Sequence, residues 1–518
     1  MGSKVLRGSF ISMVGNIIFR FGGYIYRFLM ASLLGPANYG ILGLTLPFQG
    51  IFQILSAGGL PPAIAKYMSE YQVLDEKDLA REIIYTSLKI AVILGLFFGF
   101  FMVFFAAPYI ANYFQKPEVL LPLQIVGLIT PFSAIIGAFR GAFQGVFKME
   151  YVLYTRAVEQ IGMILFATAF VLIGLSVAGA VFGTALAFLF STLLSIYIFK
   201  YKMGEFIPKR SSDFIFTLKD ELKLTKQLVV FSIPVIITAL AEMFIYTITV
   251  LIMGRFLTST LVGYYVAADV IARIPLIIAI SLAPIILPAS AEAFSSKNQK
   301  QLNLYVTSAY KYSMLFVVPM CIGIALFAKE ILEVVYFTNY AYTFGADALA
   351  ILTIGMAFYS IFVLSTSIIQ GIGNPRVPMY ILIIGVLLTL FFSLWLVPIY
   401  GIVGGAISST MACFIMIFPI LYFVFKLTKT KVSYKPFLKI FLASIVMGLF
   451  ILILPNNILG FILGIVACPL IYFALIILSK FFTLEDIDNF RGYTYKLGPL
   501  SNLGNKILNV VEKFSVIN

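Results

Sequence analysis

Apolar stretches of about 20 residues follow one another along almost the whole chain, and this is the length that an α-helix needs to cross a membrane. Short turns that contain glycine, proline or charged residues separate the stretches. Open sheet edges cannot exist in hydrocarbon, so the pattern predicts an all-α polytopic membrane protein. We expect about 14 transmembrane helices, near residues 9–33, 38–66, 84–107, 121–145, 153–174, 178–199, 228–252, 260–290, 304–328, 348–370, 377–397, 402–425, 436–454 and 457–479.

The predicted helices fall into two groups of six, and two more helices follow them. The last two lie outside both groups, and the sequence assigns them no role. This grouping divides the chain into five parts: an N-terminal six-helix lobe (1–200), a cytoplasmic linker (201–226), a C-terminal six-helix lobe (227–427), helices 13 and 14 (428–480) and a cytoplasmic tail (481–518).

The two groups of six resemble each other at a nearly constant sequence offset. Gly40 corresponds to Gly263 at an offset of 223, and Gln144-Gly145 corresponds to Gln370-Gly371 at an offset of 226. Such an internal repeat is typical of a two-lobed transporter. Both groups begin on the same side of the membrane, so we expect lobes related by an axis along the membrane normal, with a substrate cavity between them.

Lysine and arginine alternate between the turns. The turns after the odd-numbered helices carry only Lys116, Arg255 and Lys329, while the termini and the other turns are rich in basic residues. The positive-inside rule then places both termini in the cytoplasm, with the helices in the cell membrane. The same bias explains the net charge of +14, which indicates contact with membrane lipids and not with nucleic acid.

The composition excludes several classes of protein. With 61% hydrophobic residues, 11% charged residues and a mean hydropathy of +1.03, the chain cannot be a water-soluble domain. It contains no histidine, and its three cysteines lie far apart inside apolar stretches. We therefore expect no metal site, no disulfide, no histidine proton relay and no bound cofactor.

Arginines inside the predicted helices need an explanation, because an arginine near the membrane centre costs at least about 2.5 kcal/mol. Arg20 and Arg27 lie seven residues apart, which puts them on one face of the first helix about two turns apart. Arg273 lies within helix eight, and Asp269 precedes it by one turn. Such residues either line an aqueous cavity, where they can bind an extended anion, or form structural ion pairs.

Three further charged residues lie within predicted helices. Lys89 is close enough to the inner surface for its amine to reach it, and Arg140 lies about one turn from that surface. Glu242 lies in helix seven, where a carboxylate in low dielectric attracts Na⁺ or H⁺. Glu242 is therefore a candidate for ion coupling, and the alternative is a salt bridge to an arginine across the cavity.

One motif carries a family resemblance. The run Arg-Gly-Ala-Phe-Gln-Gly at 140–145, followed by Val-Glu-Gln at 158–160, resembles the region of helices four and five in the polysaccharide transporter and stage V sporulation protein B families. A Leu-Gly-Pro-Ala-Asn-Tyr-Gly turn at 34–40 and the two groups of six extend the resemblance over the whole chain. The wider superfamily includes O-antigen flippases, lipid II flippases and multidrug and toxin extrusion transporters.

The resemblance implies a flippase that moves a polyprenyl-(pyro)phosphate-linked oligosaccharide across the cell membrane by alternating access. Its product would serve surface polysaccharide, cell-wall or glycoprotein glycan assembly, with glycan-assembly enzymes as partners. Arg20, Arg27 and Arg273 resemble the basic cavity residues of lipid II flippases. The pattern departs at Gln49 and Gln53, where that analogy expects an arginine. The candidate substrate-binding residues are Arg20, Arg27, Arg140, Gln144, Glu159, Gln160, Asp269 and Arg273.

Two other functions remain alternatives. An extrusion antiporter would exchange organic cations for Na⁺ or H⁺, and acidic residues would dominate its cavity, whereas arginine and lysine outnumber acidic residues in the predicted helices. A membrane-bound glycosyltransferase or polymerase would need acidic or metal-binding residues in sizeable external loops. The predicted external loops are short, and the longest, near 329–347, carries no catalytic motif. The sequence therefore favours a flippase.

Overall fold

A computed structural model describes residues 2–57, 59–204, 214–430, 432–455 and 457–482, together with Ile487, Arg491 and Glu512. Within the helices, the side chains of residues 2–14, 16, 17, 20, 72 and 73 are outside this description. Most of the predicted tail and residues 205–213 of the predicted linker are outside it as well. The described residues contain no β-strand, and they form sixteen α-helices: α1 (Gly2–Ala57), α2 (Leu60–Val73), α3 (Lys77–Phe101), α4 (Ala107–Phe114), α5 (Leu120–Gly145), α6 (Met149–Phe170), α7 (Ser176–Lys202), α8 (Leu218–Phe256), α9 (Ser259–Ala272), α10 (Leu276–Ser295), α11 (Gln299–Leu326), α12 (Ala328–Val335), α13 (Ala346–Gly371), α14 (Arg376–Thr428), α15 (Lys435–Ile453) and α16 (Ile458–Leu478).

Among the described residues, eleven helical stretches are long and apolar enough to cross a membrane. The all-α polytopic fold predicted from the sequence is confirmed. Three stretches of 51, 54 and 53 residues exceed what one crossing requires. Each contains a break at a glycine with positive φ, namely Gly35, Gly174 and Gly401. Two crossings in each of these stretches would agree with fourteen helices, and that number stays a prediction.

The eighth predicted helix is not continuous. The sequence pattern predicted one helix near 260–290, whereas the structure has α9 and α10, with a turn at residues 273–275 between them. Pro275 explains the break, because it has no N–H to donate and it disfavours the helical conformation of the residue before it. Arg273 therefore lies in a turn and not inside a helix.

Helix α8 begins earlier than predicted, at Leu218 inside the predicted linker. Thr217 caps it: the N–H of Asp220 donates to the Thr217 hydroxyl at 3.3 Å, and the N–H of Thr217 donates to the Asp220 carboxylate at 3.0 Å. This reciprocal pair is a capping box, which stabilises the first helical turn. The Lys89 amine of α3 then meets the Glu221 carboxylate of α8 at 2.7 Å.

The chain forms two compact units. Unit 1 contains Met1–Val270, Val335–Tyr342 and Val386–Gly405. Its core is built from α2, α3, α5 and neighbouring helices, and Ile64, Ile83 and Phe143 are fully buried there. Burial of such side chains is the main packing contribution inside a helical bundle, where interiors are as dense as crystals.

Unit 2 contains Ile271–Val334, Thr343–Gly385 and Ala406–Asn518. Its core joins α11 to α15 and α16, and the hydroxyl of Tyr472 donates to the carbonyl of Leu315 at 2.7 Å. Residues of α11, α12, α15 and α16 line an apolar pocket of about 510 Å³ that is partly open to the surface. The division of the chain at residues 200 and 226 that the sequence suggested stays a prediction.

Candidate functional site

Arg140 is held by a hydrogen-bond network between three helices of unit 1. Its Nη2 atom lies 2.6 Å from Oε2 of Glu159 on α6, and its Nε atom donates to the hydroxyl of Thr155 at 3.1 Å. The hydroxyl of Ser191 on α7 donates to the carbonyl of Thr155 at 2.8 Å and lies 3.5 Å from Arg140 Nη2. The side chains of Arg140 and Glu159 are only 14% and 23% exposed. The network therefore fixes α5 against α6 and α7.

Gln160 extends this polar surface towards α1. A Cβ atom placed on Gly22 would lie 2.7 Å from Cγ of Gln160, so the amide side chain lies directly on the glycine. Its Nε2 atom is buried and has no hydrogen-bond partner among the described residues. An unmet donor of this kind favours a ligand or a water molecule as its partner.

Arg156 is a residue that the sequence analysis missed. It lies on α6, half-buried, and its guanidinium carbon is 5.8 Å from the centre of the Phe19 ring on α1. It precedes Gln160 by one helical turn, so both residues lie on the face of α6 that meets α1. Its position inside the predicted helix 153–174, three residues before Glu159, was the signal that could have identified it.

Arg27 lies on α1 and is half-buried. Arg20 also lies on α1, and its side chain is outside the described part of the structure. We call α1 together with Arg140, Arg156, Glu159 and Gln160 the polar wall of unit 1. Among its residues on α5 and α6, Arg140 and Arg156 are positively charged and Glu159 is negatively charged. The wall therefore has a net positive charge.

Three other predicted residues lie elsewhere. Gln144 is half-buried at the C-terminal end of α5, one turn beyond Arg140. Asp269 is 7% exposed on α9 in unit 1, whereas Arg273 lies in the turn that belongs to unit 2. The prediction that Arg273 lies within helix eight is therefore wrong, because α9 ends at Ala272. Their contribution to substrate binding stays a prediction.

Glu242 lies near the middle of the apolar part of α8 and is exposed at the surface of unit 1. No described side chain forms an ion pair with it. Of the two alternatives that the sequence left open, a salt bridge from Glu242 to an arginine is absent from the described residues. Nor do these residues include a group of three acidic or cysteine side chains that could hold a metal ion.

The fold and the polar wall define a multi-pass membrane protein with fixed positive charge inside its helical bundle. The chain belongs to the family of polysaccharide biosynthesis proteins, whose model matches residues 5–294. The model of a second family, MatE, matches residues 234–395. The two matches together cover most of both predicted six-helix groups.

Relatives match over most of the chain. An uncharacterized membrane protein of Methanocaldococcus jannaschii is 27% identical over 78% of this chain and 94% of its own length. The lipid II flippase MurJ of Bacillus subtilis is 23% identical over 80% of this chain and 83% of its own. A solved structure of lipid II flippase MurJ in an inward closed conformation is 18% identical and matches with a TM-score of 0.71, covering 90% of this chain and 97% of the flippase. That likeness confirms the fold.

Proposed function

We propose that this protein is a flippase that moves a polyprenyl-(pyro)phosphate-linked oligosaccharide across the cell membrane by alternating access. The observation that carries the proposal is the positive polar wall of unit 1. Burial of guanidinium groups in a membrane has a high free-energy cost. An anionic head group that binds them offsets this cost. The family match and the flippase relatives support the same reading.

The residues of the wall have different roles in this proposal. Arg140 is already paired with Glu159, so it positions α5 and α6. Arg27 and Arg156 supply charge to the phosphate groups, because the planar guanidinium group matches phosphate oxygens in a two-pronged hydrogen bond. Arg20 belongs to the same anion-binding set, and Gln144, Gln160 and Asp269 supply hydrogen bonds to the head group.

The apolar pocket of unit 2 suits a polyprenyl chain. It lies among α11, α15 and α16 and is lined almost wholly by apolar side chains such as Phe316, Met447 and Phe461. A polyprenyl chain is entirely apolar, so its burial there would be favourable at about 25 cal/mol per Å² of surface. The product would serve surface polysaccharide, cell-wall or glycoprotein glycan assembly, and both termini would face the cytoplasm beside glycan-assembly enzymes.

The test is translocation of a labelled polyprenyl-diphosphate sugar in proteoliposomes. We expect wild-type protein to move the label, and Arg27→Ala and Arg156→Ala to reduce the rate at equal amounts of folded protein. Arg376→Ala is the matched control, because Arg376 is exposed at the start of α14 and outside the polar wall. Absence of wild-type translocation for every polyprenyl-linked sugar would contradict the proposal. Equal loss in the control would contradict the assigned site.

Extrusion of organic cations in exchange for Na⁺ or H⁺ is the second candidate function. The MatE match over residues 234–395 favours it, because this range contains Glu242. The same carboxylate would couple sugar-lipid transport to Na⁺ or H⁺ if the flippase function is correct. Resistance of cells to cationic dyes on expression, lost in Glu242→Gln, would favour extrusion; dye sensitivity together with sugar-lipid translocation would favour the flippase.

A further inference from the structure

Four lysines of unit 2 lie on three neighbouring helices and the turn that follows one of them. Lys311 lies in the first half of α11, Lys435 and Lys439 lie in the first two turns of α15, and Lys480 lies in the turn after α16. We call these four residues the lysine cluster. The predicted topology places this end of the three helices at the cytoplasmic side of the membrane.

The turn after α16 brings the lysines together. The amine of Lys439 donates to the carbonyl of Lys480 at 2.7 Å, and the amine of Lys311 lies 4.8 Å from the centre of the Phe481 ring. Lys480 and Phe481 are consecutive residues, so the amines of Lys311 and Lys439 reach the same short segment. The lysine cluster therefore concentrates positive charge where α11, α15 and the end of α16 meet.

Lys311 is the buried member of the lysine cluster. Its residue is only 7% exposed, and the Phe481 ring beneath its amine is 3% exposed. The Tyr312 ring lies 5.5 Å from the same amine, and aromatic faces attract an ammonium group. Burial removes water from this charge, and the other lysines add repulsion. An anion that binds beside these lysines therefore stabilises the folded protein.

The N-terminus of α15 adds to this charge. The helix begins at Lys435, and its first turn contains no acidic residue. Among the residues that the structure describes, no side chain caps the helix at Tyr434. The N–H groups at the start of a helix carry partial positive charge and bind anions such as phosphate. Lys435 and Lys439 thus lie where the backbone already favours an anion.

Apolar side chains that face the membrane adjoin the lysine cluster. Leu438 and Leu442 are exposed on α15, and Leu478 is exposed at the end of α16. Lipid chains are as apolar as leucine, so they are the natural neighbours of these side chains in a membrane. A soluble phosphate would meet only the lysines, whereas a lipid with a phosphate head group meets both the lysines and the leucines.

We propose that the lysine cluster binds the phosphate group of an anionic phospholipid in the inner leaflet. The hydrocarbon chains of this lipid lie against the exposed leucines of α15 and α16. Anionic lipids give the cytoplasmic leaflet a negative surface potential that attracts lysine. The bound phospholipid holds the turn after α16 against α11 and α15 and is not transported, so the inference does not depend on the identity of the transported substrate.

Quenching of tryptophan fluorescence by brominated lipids measures this binding. Trp395, the single tryptophan of the chain, is replaced by phenylalanine, and Leu442→Trp places a reporter on the exposed face of α15 beside the lysine cluster. The protein is reconstituted into bilayers of phosphatidylcholine and phosphatidylglycerol, with one of the two lipids brominated at a time. The ratio of the two quenching signals gives the relative affinity for the anionic lipid near the reporter.

We expect a preference of at least about tenfold for phosphatidylglycerol, with a loss of about fivefold in Lys311→Met and in Lys439→Met. Lys439→Arg should keep the preference, because it keeps the charge. Lys426→Met is the control, since Lys426 is an exposed lysine near the end of α14, in the same unit and on the same predicted side. Lys439→Met tests the site if Lys311→Met does not fold.

Four outcomes would overturn the proposal. Equal quenching by the two lipids in the folded reporter protein would show that no anionic lipid is selected. An equal loss in Lys426→Met would assign the preference to general surface charge. Displacement of brominated phosphatidylglycerol by a small fraction of polyprenyl diphosphate would assign the lysine cluster to the transported lipid, and displacement by inorganic phosphate would assign it to a soluble anion.

Discussion

The guanidinium Nη2 of Arg140 and the carboxylate Oε2 of Glu159 lie 2.6 Å apart, and they join two neighbouring helices deep in unit 1. Arg140 also donates to Thr155 and lies within reach of Ser191, so its donors on that side are occupied. The motif that carried the family resemblance, at 140–145 and 158–160, therefore contains the ion pair that holds α5 against α6. Arg27 on α1 and Arg156 on α6 add further positive charge to the wall.

Removal of one partner of the Arg140–Glu159 pair should destabilise the protein. Glu159→Gln leaves a largely buried guanidinium without its counter-charge, and we expect a loss of about 1.5–3 kcal/mol. Thermal unfolding in detergent measures this. Lys77→Met is the control, because the Lys77–Asp75 pair is 62% and 79% exposed and such pairs contribute at most about 1 kcal/mol. Equal losses of unfolding free energy in the two variants would contradict a stabilising role of the Arg140–Glu159 pair.

Arg156 should affect substrate affinity more than stability. Arg156→Gln removes a charge-assisted hydrogen bond to the head group, and we expect the substrate concentration for half-maximal transport to rise about tenfold. Arg156→Lys keeps the charge and loses the planar geometry, so its effect should be smaller. Translocation rates over a range of substrate concentrations separate an effect on substrate affinity from an effect on the maximal rate. A fall in the maximal rate alone would speak against head-group binding.

Gly22 and Gly23 offer adjacent variants with opposite expectations. Gly22→Ala places a methyl group against Gln160 and should displace that side chain, whereas Gly23→Ala meets nothing within 4 Å. We expect transport to fall only in Gly22→Ala, and the double variant Gly22→Ala/Gln160→Ala to recover the thermal stability of Gln160→Ala. If both glycine variants transport equally, the contact between Gln160 and α1 has no part in transport.

Glu242→Gln tests ion coupling. The side chain has no ion-pair partner among the described residues and lies in the apolar part of α8, so loss of its charge should cost little stability. We expect transport driven by a Na⁺ or H⁺ gradient to lose its dependence on that gradient. A gradient dependence that survives the substitution removes Glu242 from the coupling mechanism.

Tyr342→Phe removes one hydrogen bond and keeps the ring contacts. The carbonyl of Ala31 then loses its donor in a buried site, which should cost about 1 kcal/mol of unfolding free energy. Thermal unfolding in detergent measures this loss, and Tyr380→Phe is the control, because Tyr380 is 57% exposed. Equal losses in the two variants would show that the Tyr342 hydroxyl makes no special contribution.

The sequence predicted the helical membrane fold because hydrophobic length is a local property of the chain. It placed Arg27, Arg140, Glu159 and Gln160 in helices that the structure retains. It could not pair Arg140 with Glu159, because packing between helices decides that contact. It treated helix eight as continuous, since Pro275 alone does not show whether a membrane helix bends or ends.

Arg156 was missed for a related reason. Near the predicted start of a helix, a charged residue can lie in the turn or inside the membrane, and helix boundaries read from sequence are uncertain by about two to four residues. The hydrogen bonds of Lys116 to the carbonyls of Gly254 and Leu257 could not be predicted either. The sequence placed it in an external turn, and only the fold brings its amine to the end of α8.

Gly40 and Gly263 hold α1 and α9 in backbone contact, since a Cβ atom on Gly40 would lie 1.8 Å from the carbonyl oxygen of Ser259, and one on Gly263 would lie 1.9 Å from that of Pro36. This contact has a consequence for the origin of the chain. The two glycines occupy equivalent positions of the predicted repeat, so an ancestral chain of half the length would have made this contact with a second copy of itself. In a dimer with two-fold symmetry, one residue lies on both sides of such a contact. A single substitution there would have acted twice, whereas fusion of the two halves allows each glycine to be tested, and to diverge, by itself.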